Sequence, residues 1–325
     1  MESGTIISHL LIYLPRLFIN SSLMEKNGDN VEHHRLPGYE TECLTDYLLE
    51  FIRNKKKNDA TSPPFFAVLS VQPPHNPSEA PSEYMERHTP DKLHMRPNVP
   101  DVPRIQEKAR KDLAVAYAQI ENLDWNIGRI RSTLEEVGLD EDTVILFFSD
   151  HGDMHGSHGQ FHKTSPWEES LRIPFIVGEP STLSNDTSKR VGYLINHVDI
   201  APTNLGLCNL GLPEWMRGYD YSDVCRGDIP THTAPDSAFL QSVIPTMHDH
   251  SIDRPWRGVI TNDGWKYIAL EHQPWLLFNL NEDPFELVNL AHNTAFKIER
   301  KRLQDRLERW INETGDTLAL PEIEQ

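Results

Sequence analysis

The sequence predicts an α/β protein: a mostly parallel sheet flanked by helices, followed by a small C-terminal antiparallel α+β subdomain. Three observations predict it. Two continuous apolar runs, Phe65–Val71 and Thr143–Ser149, have the pattern of strands buried on both faces of a parallel sheet. Between them, Leu113, Tyr117, Ile120, Leu123, Ile127, Ile130, Leu134 and Val137 recur at three- and four-residue spacing, which marks one long helix. From Trp256 the texture changes to short β-type runs separated by Asn-Asp-Gly and His-Gln-Pro turns, the mark of an antiparallel meander.

The first apolar stretch, Ile6–Ile19, is too short to span a bilayer and is broken by His9, Pro15 and Arg16. It has no basic lead and no small-x-small cleavage site, so it is a poor secretory signal; no membrane span is expected and the compartment stays open. Tyr39–Lys57 reads as an amphipathic helix with Leu44, Leu48, Phe51 and Ile52 on one face, closed by the basic run Lys55–Lys57. The strand from Phe65 leads into Pro73–Pro103, a Pro- and His-rich segment without periodicity, expected as a long functional surface loop. The long helix stops at Gly138, and the second apolar run leads directly into Asp150. A short third strand at Ile173–Val177 completes the parallel set, and a helix over Thr294–Trp310 packs on the meander. The expected division is an unassigned stub at 1–35, an α/β domain at 36–250 and the antiparallel subdomain at 251–325.

The chain has 325 residues, with 31 basic against 49 acidic, a formal charge of −18. A field of that sign repels nucleic acid and anionic membranes, so neither is an expected partner; the oligomeric state is left open. The three cysteines, Cys43, Cys208 and Cys225, contain no C-x-x-C pair, so their spacing indicates neither a zinc site nor a thioredoxin-type redox pair. Cys208 and Cys225 are either two free thiols or a disulfide.

In open α/β sheets, ligands bind beyond the carboxyl ends of the strands. The first buried strand is followed by His75, and the second by Asp150, His151, Asp153, His155, His158, His162 and Lys163. The second group offers a carboxylate for a hard cation, imidazoles for ligation or proton transfer, and an ammonium for an anion.

The segment Ser149–Val177, SDHGDMHGSHGQFHKTSPWEESLRIPFIV, closely resembles the corresponding stretch of the sulfatase family, members of the alkaline phosphatase-like superfamily. VLSVQPPHNP, AYAQIENLDWNIGRI, HVDIAPTNLGLCNLGLP, RGVITNDGWKYI and LFNLNEDPFELVNLA extend the resemblance in order over nearly all of Leu36–His292. The resemblance implies an alkaline phosphatase-like fold and calcium-dependent hydrolysis of sulfate esters on a small molecule or a carbohydrate. Asp150 and His151 match the late pair of calcium ligands. Lys163 matches the lysine that binds the sulfate oxygens and offsets charge in the transition state. His75 matches the histidine that contacts the ester and protonates the leaving alcohol. For His155, His158 and His162 the resemblance implies no role, and Glu168 and Glu169 are expected to anchor the loop.

The family's nucleophile is a formylglycine made from the cysteine of a Cys-x-Pro/Ala-Ser-Arg motif. Cys43 is followed by Leu-Thr-Asp, Cys208 by Asn-Leu-Gly and Cys225 by Arg-Gly-Asp, so the formylglycine-generating Cys is absent. The Asp pair that supplies the early calcium ligands is absent too, because the apolar run ahead of Leu36 ends in Asn20-Ser21-Ser22. The expectation is an N-terminally truncated sulfatase with an incomplete calcium site and unpaired strand edges beside the missing strand. Two readings follow: part of a working sulfuric ester hydrolase, favoured by the intact His75, Asp150, His151 and Lys163, or a non-catalytic, sulfatase-like binding protein.

Overall fold

The computed structural model describes residues 8–11, 22–27, 30–55, 64–76, 78–178, 190–227, 234–245, 247, 252 and 254–322, those before 36 by backbone alone. The chain divides into two compact units, residues 1–95 with 106–143, and residues 96–105 with 144–325.

The first unit contains strands β1 (Ser8–Leu11), β2 (Ser22–Asn27) and β3 (Asn30–Arg35), helix α1 (Glu40–Arg53), strand β4 (Phe65–Val68), and helices α2 (Ser82–Met85) and α3 (Pro103–Val137). β1 runs parallel to β4 with Ser8 opposite Phe65, while β2 and β3 form an antiparallel hairpin. The stretch Ile6–Ile19 thus supplies a strand partner for β4, and its remainder lies outside the described residues. β4 departs from the expected pattern: Phe66 is 41% and Val68 38% exposed, so one face of the strand is open. α1 stops at Arg53, and Lys56 and Lys57 lie outside the described residues.

The long helix forms as predicted, but a different face of it is buried. Leu123 and Leu134 are covered, whereas Tyr117 and Ile120 are exposed. The buried face consists of Ala109, Ala114, Ala116, Ala118, Gln119, Asn122, Asn126 and Thr133. Small residues permit close approach, and the amides find partners: Asn122 Nδ2 donates to Glu42 Oε1 at 2.9 Å and Gln119 Nε2 to the Glu79 carbonyl at 3.0 Å. A hydrophobicity pattern cannot register such a face, because polar side chains with hydrogen-bond partners hold it.

The second unit begins its regular structure with β5 (Ile145–Phe148), α4 (Glu168–Leu171) and β6 (Phe175–Gly178). β6 pairs antiparallel with β5, Phe148 opposite Phe175, where a parallel strand was expected. The reason is the connection. It contains no long helix, only a 3-10 turn at Ser157–Gly159 and the four-residue α4, and Gly152 N donates to the Ser170 carbonyl at 2.8 Å, so the chain turns back beside β5. Next come α5 (His197–Leu207) and α6 (Ser222–Cys225). α5 opens with a capping box in which Asn196 Oδ1 accepts from His197 N at 2.7 Å and Asp199 Oδ2 from Asn196 N at 2.8 Å. Cys208 and Cys225 are free thiols.

The antiparallel sheet has the order β10-β9-β8-β7, from β7 (Ser237–Ser242), β8 (Trp256–Thr261), β9 (Trp265–Leu270) and β10 (Gln273–Asn279). It therefore takes a fourth strand from upstream of the predicted meander. Helix α7 (Lys297–Thr314) covers one face, where Val259, Tyr267, Ala269 and Leu277 pack against Leu303, Leu307 and Ile311. The other face presents Trp256, Ile268, Leu276 and Phe278 to Trp167 and Leu171. No described helix is long and apolar enough to cross a membrane.

Arg257 Nε donates to Asp316 Oδ2 at 2.6 Å, with both side chains about nine-tenths buried. Burial opposes ionisation of Asp316, but the Arg257 hydrogen bond and the Leu318 N–H outweigh it and hold the carboxyl below its usual range. A depressed carboxyl stabilises the fold above its unfolded pKa and ceases to do so as the pH falls through its folded value. Asp316→Asn is expected to cost about 3 kcal/mol at pH 7. In urea melts, the gap from the parent chain should narrow towards pH 3; a gap of constant size would disprove the assignment.

Candidate functional site

The site is built on the loop between β5 and α4. Within ten residues, His155 (φ 42°), His158 (53°), His162 (65°) and Thr164 (71°) adopt left-handed backbone conformations. Such conformations cost of order 1–3 kcal/mol each and persist where the surroundings over-determine them. Here the loop bonds to itself, Met154 N to the His162 carbonyl and Gly156 N to the Gln160 carbonyl, both at 2.8 Å. Met154 is fully buried and Phe161 nearly so, which roots the loop from beneath. From outside, Trp256 Nε1 donates to the Thr164 carbonyl at 2.9 Å. The strained backbone is therefore held from three sides.

This scaffold brings three of the four predicted residues into one neighbourhood. Asp150 follows β5 with its carboxylate largely open to solvent, and His151 Nε2 lies 3.5 Å from Asp150 Oδ2. His151 Nδ1 contacts the Gly152 carbonyl at 2.7 Å, which sets the ring so that Nε2 faces the carboxylate. The pair is steadied from behind, where His197 Nε2 at the start of α5 lies 3.3 Å from the Ser149 carbonyl. Lys163 is half-buried. Burial pulls its pKa down, and the carboxylates of Asp150 and Asp153 pull it back up. An ammonium in that setting is partly desolvated and so attracts an anion more strongly than a lysine in bulk water. The fourth residue, His75, belongs to the first unit, where it is exposed with Nδ1 2.8 Å from the Asn76 carbonyl.

Asp153 has no role in the sequence reading. Its Oδ1 accepts from His155 N at 3.0 Å and lies 3.6 Å from His155 Nδ1, which fixes the first left-handed turn. An Asp two residues before a residue of positive φ is the signal that would have found it. Behind the loop is a buried polar cluster of residues distant in sequence. Asn98 Nδ2 donates to Glu169 Oε1 at 2.8 Å, and the His158 ring stacks on Trp167 with centroids 4.8 Å apart. Lys266, with no exposed surface, bonds Glu168 Oε1 and the Pro166 carbonyl, each at 3.0 Å, and also pairs with Glu286. Burial pushes the Glu286 carboxyl up to about 7 against the pull of Lys266. Glu168 and Glu169 thus tie the loop's far end to the sheet.

Comparison with known proteins follows the same residues. The sulfatase family matches residues 13–210, and the family described as N-sulphoglucosamine sulphohydrolase, C-terminal, matches residues 156–313. The first match begins ahead of Leu36 and so includes part of the segment read as a stub. An ulvan-active sulfatase of Formosa agariphila is 29% identical over 293 residues, covering 89% of this chain and 55% of that protein. An endo-4-O-sulfatase of Bacteroides thetaiotaomicron is 30% identical over 267 residues, covering 75% of this chain and 50% of its own length. The chain thus spans about half the length of these relatives. Among solved structures, BT4656 in complex with its substrate D-glucosamine-2-N,6-O-disulfate superposes with a TM-score of 0.76 at 19% identity, over 92% of this chain and 74% of its own. The phosphonate monoester hydrolase of Agrobacterium radiobacter gives 0.71 at 23%, over 85% and 62%. The fold is therefore alkaline phosphatase-like, shared by sulfatases and at least one other ester hydrolase. A family match that covers more than half the chain and runs through Asp150, His151 and Lys163 makes this chain a member of the sulfatase family.

Proposed function

We propose that this chain carries the sulfate-holding and late metal-binding residues of a calcium-dependent sulfuric ester hydrolase that acts on a sulfated carbohydrate or small alcohol. The observation that carries this reading is the half-buried Lys163 ammonium in a strained loop, in the field of the Asp150 and Asp153 carboxylates. Lys163 holds the sulfate oxygens, and His75 serves as the acid towards the leaving alcohol. A sulfated sugar is the favoured substrate class, in keeping with the disulfated glucosamine bound to BT4656.

Asp150 Oδ2 and His151 Nε2, 3.5 Å apart, fit two neighbouring positions around one calcium ion. Calcium takes about six to eight ligands, mostly oxygen, so this pair is part of a set. When bound, the ion supplies positive charge against the sulfate. The two side chains hold it to the strand end, and Lys163 adds a second positive charge.

The 325 residues contain no Cys-x-Pro/Ala-Ser-Arg motif, which favours a second reading for the polypeptide as it stands: a binding protein that does not turn over its ligand. The purified chain, given a chromogenic aryl sulfate and calcium, is expected to bind without turnover. Lys163→Ala should weaken that binding about tenfold or more, as for the loss of a charged hydrogen-bond donor. Turnover clearly above buffer and abolished in Asp150→Ala would refute the binding-only reading. Binding unchanged in Lys163→Ala would refute the site itself.

A further inference from the structure

The buried cluster behind the loop is short of positive charge and of hydrogen-bond donors. With all three ionised, the carboxylates of Glu168, Glu169 and Glu286 face two cations, Lys266 and Arg96, one short of balance. Uncompensated charge there is costly. The donor count points the same way. Asn98 Nδ2 donates to Glu169 Oε1 at 2.8 Å and lies 3.2 Å from both His158 Nε2 and the Phe285 carbonyl, which the His158 ring also bonds. Asn98 Oδ1 and Glu169 Oε2 are buried with no hydrogen-bond partner among the described residues. The Glu169 side chain is 4% exposed. A buried cluster with acceptor atoms left unpaired suits a cation.

One ligand atom each from His158, Glu169 and Glu286 can be chosen so that all lie within 4.8 Å of one another. Small side-chain rotations bring such a set to about 3.3 Å, the edge of a tetrahedron with metal–ligand distances of about 2.0 Å. We propose that His158, Glu169 and Glu286 form a second metal site, distinct from the Asp150–His151 pair, that takes a divalent ion of the zinc type. An imidazole with two carboxylates is a donor set for first-row ions. The charges balance if Arg96, whose side chain is 56% exposed, turns to solvent as the ion takes Glu169. Lys266 and the ion then offset the three carboxylates to zero. The three ligands come from the loop, α4 and the turn after β10, so the ion pins the strained loop to the antiparallel sheet.

The test uses the full chain stripped with EDTA and titrated with Zn2+ in a calorimeter, beside anomalous diffraction at the zinc edge from crystals of the unaltered chain. The expected result is one zinc ion per chain, retained in Asp150→Ala and weakened about 100-fold in folded Glu169→Gln or His158→Ala. The anomalous peak should lie between His158 and Glu169. Affinity that Glu169→Gln leaves unchanged overturns the proposal. So does a map with zinc only elsewhere, or with a water at the cluster in place of the ion. Should the variants fail to fold, the peak position in the unaltered chain decides alone.

Discussion

Replacing Lys266 by alanine is expected to cost about 3–5 kcal/mol at pH 7, the range found when one partner of a buried ion pair is removed. The lysine has no exposed surface and is the cation in contact with both Glu168 and Glu286, so its loss leaves those carboxylates without that partner in the interior. The cost should depend on pH in a defined direction. Burial already raises the Glu286 carboxyl to about 7, and removing Lys266 takes away the main opposition to that rise, leaving the Glu168 N–H that donates to Glu286 Oε2 at 2.8 Å. A carboxyl raised in the folded state penalises folding above its unfolded pKa, and the penalty fades as the pH falls towards that value. Urea melts at pH 7.5 and pH 4.5 should therefore show the variant's deficit shrinking with acid. The double variant Lys266→Met, Glu286→Gln should recover part of the loss at pH 7.5, since a neutral amide needs no counter-charge. A deficit equal at both pH values, with no recovery in the double variant, would mean that Lys266 acts by packing alone.

Gly152→Ala should also damage the site, through shape and not charge. A Cβ at this position would stand 1.9 Å from the Glu169 carbonyl oxygen and 2.9 Å from its carbon. Both are backbone atoms at the start of α4, so no side-chain rotation relieves the clash. The bond from Gly152 N to the Ser170 carbonyl must open instead, which separates the loop from α4. Overpacking of this kind costs about 1–3 kcal/mol, and here it acts between Asp150–His151 and the anchor of Lys163. Binding of an aryl sulfate should fall at least as far as in Lys163→Ala, with a lowered Tm. Wild-type binding and Tm in this variant would show that the close approach of loop and helix is not required.

Much of this was legible from residue order. Strand followed by Asp-His-Gly, a lysine thirteen residues on, and the run to Arg-Ile-Pro are local patterns, and local patterns survive in a linear string. The long helix and the antiparallel C-terminal sheet were legible for the same reason, as periods of 3.6 and 2. The adjacency of Asp150 and His151 needed no distant partner either, because neighbouring residues on one strand end stay neighbours in any fold.

What residue order did not show was set by long-range pairing. A strand at Phe175 reads the same in either direction, and the closing bond from Gly152 to Ser170 makes it antiparallel to β5. The buried face of α3 looked polar because Asn122 and Gln119 acquire their meaning only when Glu42 and the Glu79 carbonyl arrive. The acceptor-rich cluster is the extreme case: Asn98 meets partners 60, 71 and 187 residues away. Individually these are unremarkable polar residues of loops and strands. Their chemistry follows from low dielectric and unmatched donors, properties of a shared interior that exist only once the chain has closed around them.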